Sequence, residues 1–184
     1  MTLSLAQEGN VPKKLRIAED LALPLDAVTQ TLAAIGRKGA GKTYLATMVA
    51  EQMLDAGAQV VALDPVGNWW GLRVGADGKS KGKDLFVIGG DHGDVPLAPE
   101  VGARIARLIV EKNVSAVLDI SGFRLGERKR FAADFGEELL HLKKRQRSPV
   151  HLYRGLPVGD RPKPRCVDRV TELLTAREVA ATPA

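Results

Sequence analysis

A glycine-rich motif at residues 36–43, Gly-Arg-Lys-Gly-Ala-Gly-Lys-Thr, constrains the fold of this chain more than any other feature. It fits the pattern G-x-x-x-x-G-K-[ST], in which glycines let successive backbone N–H groups turn inward around phosphate oxygens. In such a loop the ammonium of Lys42 reaches the β- and γ-phosphates, and the hydroxyl of Thr43 ligates Mg²⁺. The motif therefore predicts a site for a nucleoside triphosphate, and it requires a strand before the loop and a helix after it.

The residues on either side of the loop fit that requirement. Residues 31–35 form a short apolar run that predicts a buried strand. Residues 44–56 have helical periodicity, with Gly57 as the expected end of the helix, and the N-terminal end of that helix would face the phosphates. We expect ATP and Mg²⁺ to be held by Gly36, Arg37, Lys38, Gly39, Ala40, Gly41, Lys42, Thr43 and Tyr44, with Thr43 as the metal ligand.

Strand-like and helix-like segments alternate along the rest of the chain. The predicted strands are residues 59–63, 85–88, 115–118 and 150–153, and the predicted helices are residues 100–111 and 126–143. Repeated strand and helix units predict a parallel sheet with right-handed crossovers and helices on both faces. The predicted fold class is α/β, a three-layer sandwich with a mostly parallel sheet, in which ligands bind beyond the carboxyl ends of the strands.

Two acidic residues, Asp64 and Asp119, follow predicted strands and are candidates for catalysis. Each could place a carboxylate near Mg²⁺, and each could instead cap the turn that follows its strand. Trp69 and Trp70 could stack on a base or on a neighbouring subunit, or they could pack locally. The three histidines of the chain have no metal-ligand spacing.

The length of 184 residues fits one domain. Residues 1–30 are predicted to be a lead-in segment that packs on the domain, and residues 31–153 to be a partial P-loop domain. Residues 154–184 lose hydrophobic periodicity and predict an atypical tail, partly disordered or helical. No apolar run reaches the length of a membrane span, so we expect a cytoplasmic protein without membrane contact.

The net charge of +5 permits contact with a polyanion without requiring it. The densest basic cluster is Lys143, Lys144, Arg145 and Arg147, at the expected end of a helix. Cations at that position can complement the helix dipole, or they can contact the phosphates of DNA.

Five runs of the sequence resemble the HerA-like ATPases, P-loop proteins of the HerA and FtsK DNA-translocase group. The resemblance covers roughly residues 15–152, and the runs are residues 23–31, 36–44, 63–72, 89–97 and 117–121. The most specific of them is the Asp-Pro-Val-Gly-Asn-Trp-Trp-Gly-Leu sequence that begins at Asp64. The phosphate loop by itself is shared by many activities.

The resemblance implies a RecA-like P-loop NTPase with strand order 5-1-4-3-2, a homo-oligomer that hydrolyses ATP to move on DNA as a helicase or translocase. In that family the strand that matches residues 150–153 runs into an acidic Walker B segment. This chain has Arg154-Gly155-Leu156 there, so the fold is incomplete on its C-terminal side. Because hydrolysis needs a group that orients water and a cation for the transition state, we expect hydrolysis to be weak or absent. Truncation or a frame shift after about residue 153 would explain the departure.

Two other functions remain open from the sequence. One is a self-contained P-loop kinase or phosphotransferase, in which residues 115–119 would lie directly beside the P-loop strand and Asp119 would serve Mg²⁺. The other is a non-catalytic, nucleotide-dependent partner of intact family members. If residues 150–153 lie between the P-loop strand and residues 115–119, the translocase-like arrangement follows.

Overall fold

A computed structural model describes residues 14–24, 32–35, 37, 39–147 and 149–154. The elements in chain order are β1 (Lys14–Arg16), β2 (Ala22–Pro24), α1 (Lys42–Asp55), β3 (Val60–Asp64), a 3₁₀ helix (Trp69–Arg73), β4 (Phe86–Ile88), a 3₁₀ turn (Pro99–Val101), α2 (Gly102–Lys112), β5 (Ala116–Asp119), α3 (Leu125–Gln146) and β6 (His151–Arg154). The predicted helices and the four strands after the phosphate loop are confirmed, with ends that differ by a few residues. The predictions for residues 1–13 and 155–184 lie outside the described residues.

The four strands β3 to β6 form one parallel sheet in the order β4-β5-β3-β6. Consecutive residues of β3 alternate between the faces, with Val60 and Ala62 in one apolar cluster and Val61 and Leu63 in the other. The first cluster also contains residues of α1 and of the 3₁₀ helix, and the second contains residues of α2 and α3. The α/β class with a parallel sheet between helical layers is therefore confirmed.

The β1–β2 hairpin belongs to the layer of α1. Leu15 is fully buried in the first cluster. Gln52 of α1 pairs with the backbone of Arg16, since its Oε1 accepts from Arg16 N at 2.6 Å and its Nε2 donates to Arg16 O at 2.9 Å. These contacts attach the hairpin to α1.

The strand order differs from the order that the resemblance implies. In the order 5-1-4-3-2 that the resemblance implies, residues 150–153 lie beside residues 115–119. In the structure β6 pairs with β3 instead, with Leu152 opposite Val61. The reason lies in burial. All five residues of β3 are buried, which suits a strand with neighbours on both sides, whereas His151 and Tyr153 of β6 are partly exposed, which suits an outer strand.

The prediction of a buried strand before the phosphate loop is wrong for the part that the structure describes. Residues 32–35 belong to neither sheet, and the side chain of Ile35 is 94% exposed. A strand is stable only when a neighbour satisfies its N–H and C=O groups. No strand of the described chain pairs with this run, which explains its irregular backbone.

Candidate functional site

The phosphate loop leads directly into α1, which begins at Lys42. Gly39 and Gly41 have φ values of +82° and +81°, the left-handed region that side chains disfavour. Gly39 and Gly41 are the two glycines of the motif that the structure describes, and both lie where the backbone requires glycine. Gly36 and Lys38 lie outside the described residues, and Ala40 and Arg37 are exposed.

The ammonium of Lys42 lies against the loop, where Nζ donates a hydrogen bond to the carbonyl oxygen of Arg37 at 2.8 Å. Thr43 and Tyr44 are exposed in the first turn of the helix. To bind a phosphate, Lys42 would exchange the Arg37 carbonyl for phosphate oxygens, and the Thr43 hydroxyl would be accessible to a metal ion. The first turn of α1 is thus open to solvent on the side that a nucleotide would approach.

The direction of α1 places this turn at the ligand-binding end of the sheet. After Asp55 the chain needs four residues to enter β3 at Val60, so the end of α1 lies near the amino end of β3. The helix runs opposite to the strand, and its 14 residues extend about 21 Å. Its N-terminus therefore lies toward the carboxyl ends of the parallel strands, where α/β folds bind ligands.

Asp64 is a turn cap. Its Oδ1 accepts hydrogen bonds from the N–H groups of Val66 and Gly67, both at 2.9 Å, and its Oδ2 accepts from those of Asn68 at 2.6 Å and Trp69 at 2.8 Å. The residue is 1% exposed. The two oxygens of a carboxylate have about four lone-pair positions that can accept hydrogen bonds, and four N–H groups occupy them here. Asp64 would therefore have to lose backbone partners in order to bind a metal. The candidate role in catalysis gives way to the structural one.

Asp119 lies beside Asp64, since the two are in register at the ends of β5 and β3. It is 6% exposed, and its Oδ1 accepts from the N–H of Ser121 at 2.8 Å. Two glycines with positive φ enclose its Oδ2: a Cβ atom would come within 2.0 Å of that oxygen at Gly90 and within 3.2 Å at Gly67. The carboxylate therefore fills a space that two glycine backbones leave for it.

Three runs that carry the family resemblance meet around this carboxylate. Gly67 belongs to the run 63–72, Gly90 to the run 89–97 and Asp119 to the run 117–121. The ring of Trp70 also stacks on that of His92, with centroids 3.8 Å apart and planes 25° apart. Trp69 is buried and packs on Tyr153, so both tryptophans contact aromatic rings from distant parts of the chain. Sequence periodicity gave no signal for the Trp70–His92 contact.

Asp94 is a residue that the sequence did not single out. Its Oδ2 accepts from the N–H of Val87 at 2.9 Å, and its Oδ1 accepts from Arg73 at 2.6 Å. The Val87 hydrogen bond and then the Arg73 guanidinium lower the pKa of Asp94 below its usual value. The stability that this carboxylate contributes is thus present at neutral pH and is lost as the pH falls through the lowered pKa.

The sheet order decides which strand can neighbour the P-loop run. In the kinase-like alternative, β5 would lie directly beside that run. Both sides of β5 are already occupied, by β4 and by β3. Asp119 is therefore displaced from the position that a kinase-like magnesium ligand would require.

The basic cluster at the end of α3 is only partly exposed. Lys144, Arg145 and Arg147 are exposed, but Lys143 is 6% exposed, so the prediction that all four side chains could contact DNA is wrong. Lys143 follows Phe131, Phe135 and Leu139 at intervals of four residues, which places it on the buried face of the helix. That spacing is visible in the sequence. Since α3 leads into the start of β6, the cluster lies at the amino end of the sheet.

Comparisons with known proteins identified no relative: no protein-family model, no curated protein and no solved structure matches this chain. Among the described residues, no helix is both long and apolar enough to cross a bilayer. The same part of the chain contains no group of three or more His, Cys, Asp or Glu side chains that could hold a metal ion.

Proposed function

We propose that this chain binds Mg-ATP through residues 36–44 and that it is a HerA-like, DNA-associated P-loop protein with little or no hydrolysis. One observation supports the proposal: α1 begins at Lys42, directly after Gly39 and Gly41 with positive φ, and Thr43 and Tyr44 in its first turn are exposed. A helix N-terminus at that place favours an anion, and the backbone of the loop supplies further N–H donors.

The residues present fit magnesium bound together with the nucleotide. Mg²⁺ retains several waters and takes one or two protein ligands in addition to phosphate oxygens, so a single exposed hydroxyl at Thr43 is compatible with it. A bound Mg²⁺ would neutralise phosphate charge. Asp64 is occupied by four N–H groups, and Asp119 lies two strands beyond β6. Four N–H groups engage the Asp64 carboxylate and the backbones of Gly67 and Gly90 enclose that of Asp119, which supports slow turnover.

The sheet order argues against the kinase-like arrangement, and it also differs from the order 5-1-4-3-2 that the resemblance implies. The connections between strands cross both faces of the sheet. The connection from β3 to β4 lies on the face that α1 covers. The connections from β4 to β5 and from β5 to β6 lie on the face that α2 and α3 cover. Right-handed crossovers on opposite faces run in opposite directions along a sheet. Since α1 lies on the same face as the connection from β3 to β4, a right-handed crossover through α1 into β3 would start on the β6 side of β3. Residues 32–35, which precede α1, would therefore lie on that side. On this reasoning β6 and β3 separate the P-loop run from Asp119.

Substitution of Lys42 by alanine tests the proposal. We expect the wild type to bind a fluorescent ATP analogue with Mg²⁺ and Lys42→Ala to bind it at least ten-fold more weakly, because a charge-assisted phosphate contact is lost. Hydrolysis should be near background in both, with or without DNA. Lys79→Ala, which removes another exposed lysine, is the control and should bind as the wild type does. Equal binding by Lys42→Ala and the wild type would overturn the proposed site.

The exposed part of the basic cluster predicts a salt dependence for DNA binding. If Lys144, Arg145 and Arg147 each neutralise one phosphate, their replacement by alanine should reduce the slope of log affinity against log salt by about 2.7. Fluorescence anisotropy with a labelled duplex at several salt concentrations measures that slope. The charge-matched control replaces Lys112, Lys129 and Arg130, which are exposed on α2 and at the other end of α3. An equal change in both triple variants would show general charge attraction and exclude a specific patch.

A further inference from the structure

We infer that the outer side of β4 and α2 is a docking surface for an acidic, amphipathic helix of another protein. The surface consists of Phe86, Val95 and Leu108, whose side chains are 52%, 51% and 44% exposed. Apolar residues that are exposed singly are common on proteins, but several on one side of a domain mark an interaction site. The surface shares no residue with the phosphate loop or with the basic cluster of α3, so the inference does not depend on nucleotide or DNA binding.

The backbone places Phe86 and Val95 on one face of the sheet. Side chains two residues apart in a strand point to the same face, so Phe86 points to the same face as Ile88, which packs in the apolar cluster of α2 and α3. Val95 forms a parallel bridge with Ile88. Because paired residues of neighbouring strands also point to the same face, Val95 lies on the face that α2 covers.

Leu108 lies on the side of α2 that faces away from α3. The side toward α3 includes Gly102, where a Cβ atom would come within 2.8 Å of the carbonyl oxygen of Phe131. It also includes Arg107, whose Nε lies 2.7 Å from Glu138 Oε1. At about 3.6 residues per turn, Leu108 is nearly opposite the midpoint between Gly102 and Arg107. Since α3 crosses the sheet toward β6, Leu108 lies on the same side as the two exposed residues at the outer edge of β4.

The backbone edge of β4 is closed, so a partner has to dock through side chains. The N–H of Val87 donates to Asp94 Oδ2 at 2.9 Å, and the N–H of Asp94 donates to the carbonyl oxygen of Val87 at 2.7 Å. The N–H of Gly89 donates to the carbonyl oxygen of Val95 at 2.8 Å. Because these groups are satisfied within the chain, an added strand would find no row of free backbone groups here. An amphipathic helix that lays its apolar face on the surface is the mode that remains.

The charge of α2 determines which helix fits. Arg104 and Lys112 lie one turn before and one turn after Leu108, and both are exposed. In the described part of the chain neither of these cations has an ion-pair partner. Glu111 is the single acid of α2, so the exposed side of the helix is net positive. A partner helix with acidic residues beside its apolar face would complement that charge.

A second copy of this chain fits the surface less well. A two-fold contact uses the same patch on both protomers, so the cations of α2 would meet the same cations of the other copy. Like charges that face each other across an interface oppose association. The charge therefore favours a different protein over self-association.

A peptide library displayed on phage tests the surface without assuming a sequence. Selection against the full chain should enrich peptides that form amphipathic helices with Asp or Glu beside the apolar face. Leu108→Gln should weaken the binding of an enriched, fluorescently labelled peptide roughly five-fold or more, since an apolar contact is lost. Leu125→Gln is the matched control and should bind as the wild type does, because Leu125 is 51% exposed at the start of α3. Both variants should keep the melting temperature of the wild type.

Charge reversal gives a second readout that removes no apolar side chain. Arg104→Glu combined with Lys112→Glu should weaken binding of the same peptide about ten-fold or more, because attraction becomes repulsion. A peptide in which lysine replaces each acid should then bind the double variant better than the wild type. The charge-matched control combines Lys129→Glu with Arg130→Glu, at exposed positions of α3, and should bind as the wild type does.

Three results of these binding experiments would overturn the inference: no enriched peptide, equal affinity of Leu108→Gln and the wild type, or no effect of the charge reversal. A wild-type dimer that Leu108→Gln dissociates would also overturn it, since the surface would then belong to a second copy. Binding of the wild type to anionic lipid vesicles that Leu108→Gln abolishes would assign the surface to a membrane and overturn it as well.

Discussion

Replacement of Asp64 by alanine is expected to lower the free energy of unfolding by about 3–4 kcal/mol. The carboxylate accepts four backbone hydrogen bonds in a position that is 1% exposed, and alanine leaves those four N–H groups without an acceptor. A buried donor that loses its partner costs about 1–3 kcal/mol, although the outer amides of this turn can recover water. For a domain with a typical stability of 5–15 kcal/mol the loss is large. Urea denaturation followed by circular dichroism measures it.

Asp77→Ala is the matched control for this prediction. Asp77 also caps a turn, accepting from the N–H of Lys79 at 2.9 Å and from the N–H and hydroxyl of Ser80, both at 2.8 Å. These hydrogen bonds, the one from the Ser80 N–H foremost, lower the pKa of Asp77 to about 2. Its turn is exposed, so water replaces the lost acceptor and the change in stability should be small. If Asp64→Ala were as mild as Asp77→Ala, the turn after β3 would not depend on its cap.

Replacement of Gly90 by alanine is expected to lower the free energy of unfolding by about 2–5 kcal/mol. A Cβ at this position would come within 2.0 Å of Asp119 Oδ2, and the φ of +68° is unfavourable for any residue with a side chain. The left-handed backbone costs about 1–2 kcal/mol and the displaced carboxylate a further 1–3 kcal/mol. The melting temperature and the midpoint of urea denaturation report the loss.

Gly122→Ala separates the steric effect from a general effect of glycine replacement. Gly122 lies in the turn after β5. A Cβ atom there would meet nothing within 4 Å, and the φ of Gly122 is not positive. We expect its stability to equal or slightly exceed that of the wild type, because alanine restricts the unfolded chain. The double variant Gly90→Ala with Asp119→Ala should be less destabilised than the sum of the single variants, since the clash needs both side chains. Simple additivity would contradict a direct contact.

The glycine turn at residues 39–41 and the helix after it could be predicted because the signal is local. Gly39 and Gly41 occur where the backbone needs positive φ, and the helix periodicity begins directly afterwards. The strands β3 and β5 were recognisable as short apolar runs for the same reason. Local patterns thus gave the elements and the α/β class.

Relations between distant residues could not be predicted in the same way. The order of strands depends on which runs pair, and local sequence patterns do not show that β6 lies beside β3. The role of Asp64 was ambiguous because a metal ligand and a turn cap both occur at the end of a strand. The number of amides that face the carboxylate decides between them, and that number depends on the path of the turn. Burial of Lys143 was visible in helical spacing, but its basic neighbours obscured it.

The pairing of β3 with β6 has a consequence for how the chain folds. Val61 pairs with Leu152, so one of the two neighbours of β3 is among the last strands of the described chain to be synthesised. Until β6 arrives, β3 exposes an apolar edge while β4 and β5 can already pair with each other. Contacts between residues so far apart in sequence slow folding, and an unpaired buried strand favours association with other chains. The edge of β3 therefore stays open to association with other chains from the synthesis of β3 until that of β6.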